Sequence, residues 1–212
     1  KYMALIIDSQ LFPCIDYMKK LMLYKHVTIE AFESFQKMSF RNRYVIGGAN
    51  NILSLSIPIA GGREQKTLIK DVRIDNASNW QTTPWRTLLS AYNKAPFFDL
   101  YSVDVKNLIF CGESNLISMN SKILAWVCKI LNISLMIEFS NQYVAHYDNK
   151  TDCRNYFLPK SFQKDMTPWV PKYPQVFEDR LGFQPNLSII DLIFCVGPKA
   201  SDLLAEGLKV KP

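Results

Sequence analysis

The amino-terminal segment places a short apolar run directly before a helix. Met3 to Ile7 is apolar and ends at three polar residues, Asp8, Ser9 and Gln10. Pro13 follows at a position where proline commonly begins a helix, because its fixed φ suits the first helical turn. The residues after it carry apolar side chains at helical spacing, namely Ile15, Met18, Leu21 and Met22. The chain therefore opens as strand, loop and helix, and in a parallel or mixed sheet such a loop is where ligands usually bind.

Short apolar runs alternate with helical stripes along the rest of the chain. Further strands are predicted at 27–32, 44–46, 52–59, 67–74 and 134–139, with the glycine-rich segment 47–51 as a hairpin turn. Helices are predicted at 84–92, at 116–131 and from Asn186, a suitable N-cap, to Phe194. The segment 141–174 is polar, aromatic and interrupted by prolines, which favours long loops or a lid.

This alternation predicts the α/β class. We expect a single domain over residues 1–212, with a mixed β-sheet flanked by helices and a long irregular segment near 141–174. A chain of 212 residues with 48% hydrophobic residues is long enough to bury one large core. The first apolar run is too short for a signal peptide, and no stretch approaches the roughly 20 apolar residues that span a bilayer. We therefore expect a cytoplasmic protein with no membrane span.

The net charge of the chain excludes few classes of binding partner. The formal net charge is +6 and the pI is about 9.0, which suits nucleic acid, an acidic membrane surface or phosphorylated metabolites. The basic residues are scattered, which disfavours a nucleic-acid arm or a membrane anchor but does not exclude nucleic acid. The five cysteines form no CxxC pair and none stands beside a histidine, so we predict reduced thiols, no metal and no cofactor.

The stretch from Lys37 to Phe98 concentrates cations, amides and aromatic rings between two apolar strands and a helix. Arginine binds planar or tetrahedral anions through a rigid fork of donors, so one interpretation is the wall of a site for an anionic small molecule. The other interpretation is an ordinary solvated strand face. The cations in question are Arg41, Arg43, Lys66, Lys70 and Arg73.

Two aspartates are candidates for proton transfer. Asp8 directly follows a predicted strand, where a carboxylate can receive the proton of an attacking amine. Asp191 stands inside the apolar run Ile189–Phe194, where burial is costly unless the carboxylate meets a cation or a hydrogen-bond donor. We therefore expect Asp191 to contact a partner such as Arg43 or the hydroxyl of Ser188. The role of Asp191 is then either structural or that of a general base.

Several long blocks of this chain resemble one known family. The blocks are QLFPCIDYMKKL, FQKMSFRNRYVIGGANN, LSLSIPI, IKDVRIDNASNWQTTPWRTLLSAYNKAPFFDLY and YPQVFEDRLGFQPNLSIIDLIFCVGPKASDLL. They resemble, in the same order and over nearly the whole chain, the WbqC-like protein family. That family is associated with bacterial gene clusters for O-antigen, a surface polysaccharide.

The resemblance implies an activity and a set of positions. The implied activity is transfer of an acyl or aminoacyl (glycyl) group to the amino group of a nucleotide-activated amino sugar, with an unidentified acyl donor. Members commonly carry a histidine just before the second tryptophan of the fourth block, where this chain has Pro84. The implied substrate-binding positions, taken with the basic residues above, are Gln10, Tyr17, Arg41, Asn42, Arg43, Lys70, Arg73, Trp80, Trp85 and Tyr92.

Two functions are consistent with the residues. One is the transferase, with Asp8 or Asp191 as the proton acceptor and the basic residues on the diphosphate. The other is a non-catalytic protein that captures a nucleotide sugar or RNA. A deep pocket with an aspartate beside the arginines favours the enzyme, whereas a flat basic face with exposed aromatic rings favours nucleic acid.

Overall fold

The computed structural model of the protein describes residues 4–61, 66–163 and 171–209. Within these ranges four strands form a parallel sheet in the order β5–β2–β1–β6, and two more form a separate antiparallel hairpin, β3–β4. The strands are β1 (Ala4–Ile7), β2 (His26–Ile29), β3 (Arg43–Gly47), β4 (Ile52–Ser56), β5 (Met136–Phe139) and β6 (Lys150–Asp152). The helices are α1 (Ile15–Met22), α2 (Thr82–Tyr92), α3 (Phe98–Ile109), α4 (Leu116–Ile130), α5 (Glu178–Leu181), α6 (Ile189–Val196) and α7 (Ala200–Lys209).

The first strand is central to the sheet. It pairs with β2 from Ala4 opposite His26 to Ile7 opposite Ile29, and with β6 on its other side. Leu5, Ile6 and Ile7 are fully buried, as expected for a strand that is covered on both faces. The helix α1 follows it and buries its apolar stripe against the carboxy-terminal helices α6 and α7. The α/β class predicted from the sequence is confirmed.

The parallel arrangement gathers polar residues at one edge of the sheet, because all four strands end there. Asp8 follows β1, Glu30 follows β2 and Ser140 follows β5. They are joined across strands: the backbone N–H of Asn155, beyond β6, donates to Asp8 Oδ1 at 2.9 Å, and Ser140 Oγ donates to Glu30 Oε1 at 2.6 Å. This carboxyl edge is therefore a polar, hydrogen-bonded layer on top of an apolar sheet.

Several predicted elements are wrong, each for a local reason. The predicted strand at 67–74 is instead a 3₁₀ turn, Ile69–Asp71, because its N–H groups bond to the irregular loop after β2 rather than to a strand. Ser188, not Asn186, is the N-cap of α6, since Asn186 has φ +58° and its side chain accepts from the backbone N–H of Asp16. The helices α3, α5 and α7 were not predicted.

The segment predicted as irregular, 141–174, contains the short strand β6, and its residues 164–170 lie outside the described ranges. Met3, the first residue of the predicted opening strand, lies outside them as well. Across the described ranges, no helix combines the length and the hydropathy that crossing a membrane requires.

The junction between α6 and α7 gives a stability prediction. Gly197 has φ +57° and ψ −127°, and a Cβ placed there would lie 2.4 Å from Cδ1 of Phe97. Gly112 also has a positive φ, +69°, but a Cβ there meets nothing within 4 Å. We expect Gly112→Ala to lower the free energy of unfolding by about 1–2 kcal/mol, the usual cost of a positive φ. Gly197→Ala should cost about 1–3 kcal/mol more through overpacking.

Urea unfolding of the two variants beside the parent protein measures both costs. Equal losses in the two variants would contradict the packing of Phe97 against the α6–α7 junction.

Candidate functional site

A cavity of about 260 Å³ lies at the carboxyl edge of the sheet. Its walls come from the loop after β1, from α1, from the last residue of β2, from β5 and from α4. Ile137 and Phe139 are exposed at 38% and 48%, so the cavity opens to solvent along the edge strand β5. The lining residues are Ser9, Gln10, Pro13, Tyr17, Ile29, Asn120, Ser121, Leu124, Ala125, Ile137 and Phe139, and none of them carries a formal charge.

The loop between β1 and α1 is held in place by its own polar groups. Tyr17 donates its hydroxyl to the backbone carbonyl of Asp8 at 2.9 Å. Gln10 Oε1 accepts from the backbone N–H of Cys14 at 3.2 Å, at the start of α1. Phe12 takes a positive φ of +43° between them, which turns the chain sharply. These contacts fix the side of the cavity that the amino-terminal segment provides.

Hydrogen bonds also settle the orientation of two amide side chains in the wall. Asn120 donates from Nδ2 to Ser9 Oγ at 3.2 Å and to the carbonyl of Arg41 at 2.8 Å, so its Oδ1 is the free end. Gln10 is fixed by its bond from Cys14, so its Nε2 is the free end. Neither Asn120 Oδ1 nor Gln10 Nε2 has a partner among the residues that the structure describes, although both residues are buried. Unpaired buried polar atoms are uncommon and costly.

A charged cluster lies directly behind this wall. Arg41 is 1% exposed and donates from Nη2 to Glu33 Oε1 and, at 2.9 Å, to Asn155 Oδ1. Burial raises the pKa of the Asp8 carboxyl, and the nearby Arg41 charge and the Asn155 N–H offset part of that rise. The carboxylate of Asp8 is thus a stronger base than an exposed aspartate, while Arg41 favours its charged form.

Asp191 lies in a different place. Its Oδ1 accepts from the Tyr92 hydroxyl and its Oδ2 from the Tyr173 hydroxyl, both at 2.6 Å, and Gln175 Nε2 adds a third bond at 3.2 Å. The prediction that Asp191 contacts Arg43 or the Ser188 hydroxyl is therefore wrong. The small cavity beside Asp191 measures about 10 Å³, room for at most one water. Asp191 does not line the larger cavity, and its contacts fit a structural role.

The predicted basic wall does not line the cavity. Asn42 donates from Nδ2 to the carbonyl of Ile57 at 2.9 Å, and Lys70 pairs with Asp71. Arg73 donates to Ser114 Oγ at 3.2 Å. Arg43 is half-buried, and its Nε has no partner within the described part of the chain. Lys66 is exposed.

Of the predicted substrate-binding residues, the structure places Gln10 and Tyr17 in the cavity wall and Arg41 behind it. Trp80 donates from Nε1 to Asn76, and the Trp85 ring stacks on Phe98 at 6.3 Å. The wall residues on β2, α4 and β5 were not predicted. Asn120 was detectable in principle, because a polar side chain on the apolar stripe of a long helix needs a partner.

The Asp191 network gives a pH-dependent prediction. Burial raises the pKa of Asp191, partly offset by the bonds from Tyr173, Tyr92 and Gln175. A carboxyl group whose pKa is higher in the folded than in the unfolded state adds to the free energy of unfolding at pH values below its ordinary pKa of 3.8. That contribution is lost as the pH rises through the pKa of the folded state. We therefore expect the free energy of unfolding of the parent, relative to Asp191→Asn, to fall as the pH rises from about 4 towards 7.

Urea unfolding at several pH values measures this difference. Asp99→Asn, at an exposed site on α3, is the control for the change in net charge. A difference between the parent protein and Asp191→Asn that does not vary with pH would contradict the prediction.

Comparison with known proteins agrees with the family resemblance seen in the sequence. A family model described as the WbqC-like protein family matches residues 8–158 and 145–203. The chain is also similar to the uncharacterized protein Rv1507c of Mycobacterium tuberculosis (strain ATCC 25618 / H37Rv), with 24% identity over 226 residues, 94% of this chain and 96% of that protein. No solved structure gives a significant match. The matched ranges include every residue of the cavity wall, and this chain belongs to the WbqC-like protein family.

Proposed function

We propose that this protein transfers an acyl or aminoacyl group, such as glycyl, to the amino group of a nucleotide-linked amino sugar, in the synthesis of a bacterial surface polysaccharide. The observation that carries the proposal is the uncharged cavity at the carboxyl edge, with the buried carboxylate of Asp8 directly before its first wall residue, Ser9. The carboxyl edge is where ligands bind in parallel sheets. The association of the WbqC-like family with O-antigen gene clusters supports the same chemistry.

The cavity suits the sugar rather than the diphosphate. Its volume of about 260 Å³ is near the small end of ligand sites, and its wall offers hydroxyl and amide groups beside apolar surface. A diphosphate needs cations, and none lines the cavity. We assign the diphosphate to Lys70 and Arg73, with Arg43 as a further candidate. The backbone carbonyl of Lys70 accepts from Asn115 Nδ2 at 2.7 Å, and the backbone of Arg73 pairs with that of Asn115. Asn115 is the N-cap of the helix α4 that carries one cavity wall, and a helix amino terminus favours anions.

The reaction needs a proton acceptor. The sugar nitrogen attacks the carbonyl carbon of the activated donor, a C–N bond forms, and the bond from that carbon to the leaving group breaks. The nitrogen must release a proton, and Asp8 is our candidate to receive it, because its raised pKa makes it the stronger base. Asp191 is the alternative from the sequence analysis, but two tyrosines and a glutamine occupy its oxygens.

The binding part of the proposal is tested by filling the cavity. Ala125 lines the cavity from an exposed position on α4, so Ala125→Leu adds volume there without burying a new polar group. A nucleotide-linked amino sugar at about 100 times its dissociation constant should stabilise the parent by roughly 2.7 kcal/mol. We expect Ala125→Leu to lose most of this stabilisation, measured by thermal unfolding with and without the ligand.

Lys129→Leu, at another exposed position on α4 outside the cavity, is the matched control and should respond like the parent. Equal ligand stabilisation in both variants would place the sugar elsewhere. Stabilisation by short RNA alone would support the non-catalytic alternative instead.

The catalytic part is tested at Asp8. Once a donor and acceptor pair gives turnover, Asp8→Asn should lower kcat by about 10²–10⁴-fold, the usual contribution of a general base, while the ligand still stabilises the variant. Asp191→Asn should keep kcat within a few-fold. A larger loss at Asp191 than at Asp8 would reverse the assignment, and ligand binding without any transfer would identify a binding protein.

A further inference from the structure

The two edges of the parallel sheet differ in their chemistry. At one edge, β6 is short and carries Lys150 and Asp152, and charged residues commonly protect a sheet edge from pairing. At the other edge, β5 has the sequence Met-Ile-Glu-Phe. Its residues Met136, Ile137 and Phe139 are exposed at 62%, 38% and 48%. An exposed apolar edge strand is a template for pairing with another strand.

The backbone of β5 has hydrogen-bonding groups on its outer side. The N–H of Met136 donates to the carbonyl of Lys25 at 2.9 Å, and β5 pairs in parallel with β2. The direction of these groups alternates from residue to residue along a strand, so the N–H and C=O groups of Ile137 and Phe139 point away from β2. Among the described residues, β5 is the last strand at this edge, and no backbone group pairs with its outer side. The edge can therefore accept one more strand.

The charges around β5 favour a partner strand that runs antiparallel to it. Glu138 is the one charged residue of β5, and its carboxylate accepts from Thr28 Oγ1 at 2.8 Å and pairs with Lys150. The exposed residue Lys25 lies at the other end of the strand, beside Met136. An antiparallel second copy brings its Glu138 to the end where Lys25 lies, whereas a parallel copy places like charges side by side.

The position of Glu138 also selects the register of two such strands. A two-fold axis at the centre of β5 passes through either Ile137 or Glu138. An axis at Glu138 places two carboxylates directly opposite each other, which is destabilising. An axis at Ile137 places Met136 opposite Glu138 of the second copy, and the outward N–H and C=O groups of the two Ile137 residues then exchange two hydrogen bonds.

We propose that β5 pairs with β5 of a second copy of this chain, antiparallel about a two-fold axis at Ile137, so that the two parallel sheets become one continuous sheet. The axis is perpendicular to the sheet, so the same face of each copy lies on the same side. Ile137 and Phe139 line the cavity, and Ile137 of the second copy therefore lies beside the mouth of that cavity. Each site gains an apolar residue from the other copy. This inference does not depend on the proposed transfer reaction.

Residue 137 faces its own copy in this arrangement, so opposite charges at this position test the register. Ile137→Lys places two ammonium groups opposite each other, and Ile137→Glu places two carboxylates there. We expect each variant to raise the dissociation constant of the dimer by about a hundredfold or more. An equimolar mixture of the two variants pairs lysine with glutamate and should recover the dimer.

Val103→Lys is the matched control, because it makes the same kind of change at an exposed apolar position of α3, away from the sheet edge. Sedimentation equilibrium at micromolar concentrations measures the mass of each protein, and thermal unfolding confirms that each variant is folded. The parent and Val103→Lys should have twice the 24.5 kDa of one chain.

A parent protein with the mass of one chain would overturn the proposal and assign the edge to an extended segment of another protein. A dimer that Ile137→Lys leaves intact would overturn it as well, because the contact would then lie elsewhere. Two monomeric variants that fail to associate when mixed would contradict the register at Ile137.

Amide hydrogen exchange of the parent protein needs no variant. It compares one concentration at which sedimentation shows single chains with one at which it shows dimers. We expect the Ile137 N–H to exchange more slowly in the dimer, while the Met136 N–H, already bonded to Lys25, changes little. An Ile137 N–H that exchanges equally in both states would overturn the proposal.

Discussion

The buried guanidinium of Arg41 is the contact on which the carboxyl edge of the sheet depends. It binds Glu33, from the connection after β2, and Asn155, from the segment after β6. The Asn155 N–H in turn holds Asp8 after β1, and the Arg41 carbonyl holds Asn120 of α4. A buried ion pair adds little net stability, but removing one partner leaves an unpaired charge and costs about 3–5 kcal/mol. One side chain thus fixes the relative positions of the segments that build the cavity.

One wall separates this charged cluster from the uncharged cavity. Arg41 Nη2 binds Glu33 and Asn155, its Nη1 has no partner among the described residues, and its charge favours the ionised form of Asp8. The cavity wall instead consists of hydroxyl, amide and apolar groups. The charged cluster is thus separated from the uncharged cavity surface, and the Asp8 carboxylate lies directly before the first wall residue, Ser9.

The sequence predicted the features that depend on local pattern. The opening strand, the loop at Asp8–Gln10 and the helix after Pro13 follow from an apolar run, a polar break and helical spacing, and the structure has all three. It did not predict β6, because Lys150–Asp152 is short and polar and becomes a strand only by pairing with β1. The cavity wall on α4 and β5 was missed for the same reason: which residues meet across about 100 positions is decided by strand order, not by local spacing. Likewise, basic residues that are close together in the sequence do not have to form one continuous surface in the folded protein.

We expect the ligand to bind in the cavity at the carboxyl edge, whose wall includes Gln10 and Asn120. The most direct measurement is a ¹⁵N-NMR titration with the nucleotide-linked amino sugar that stabilises the protein most, followed through side-chain amide signals. We expect shifts of the Gln10 and Asn120 side-chain amides and of the Ser9 backbone amide at the same ligand concentrations. Shifts confined to the surroundings of Asp191, such as Gln175, with Gln10 and Asn120 unchanged at saturation, would contradict it.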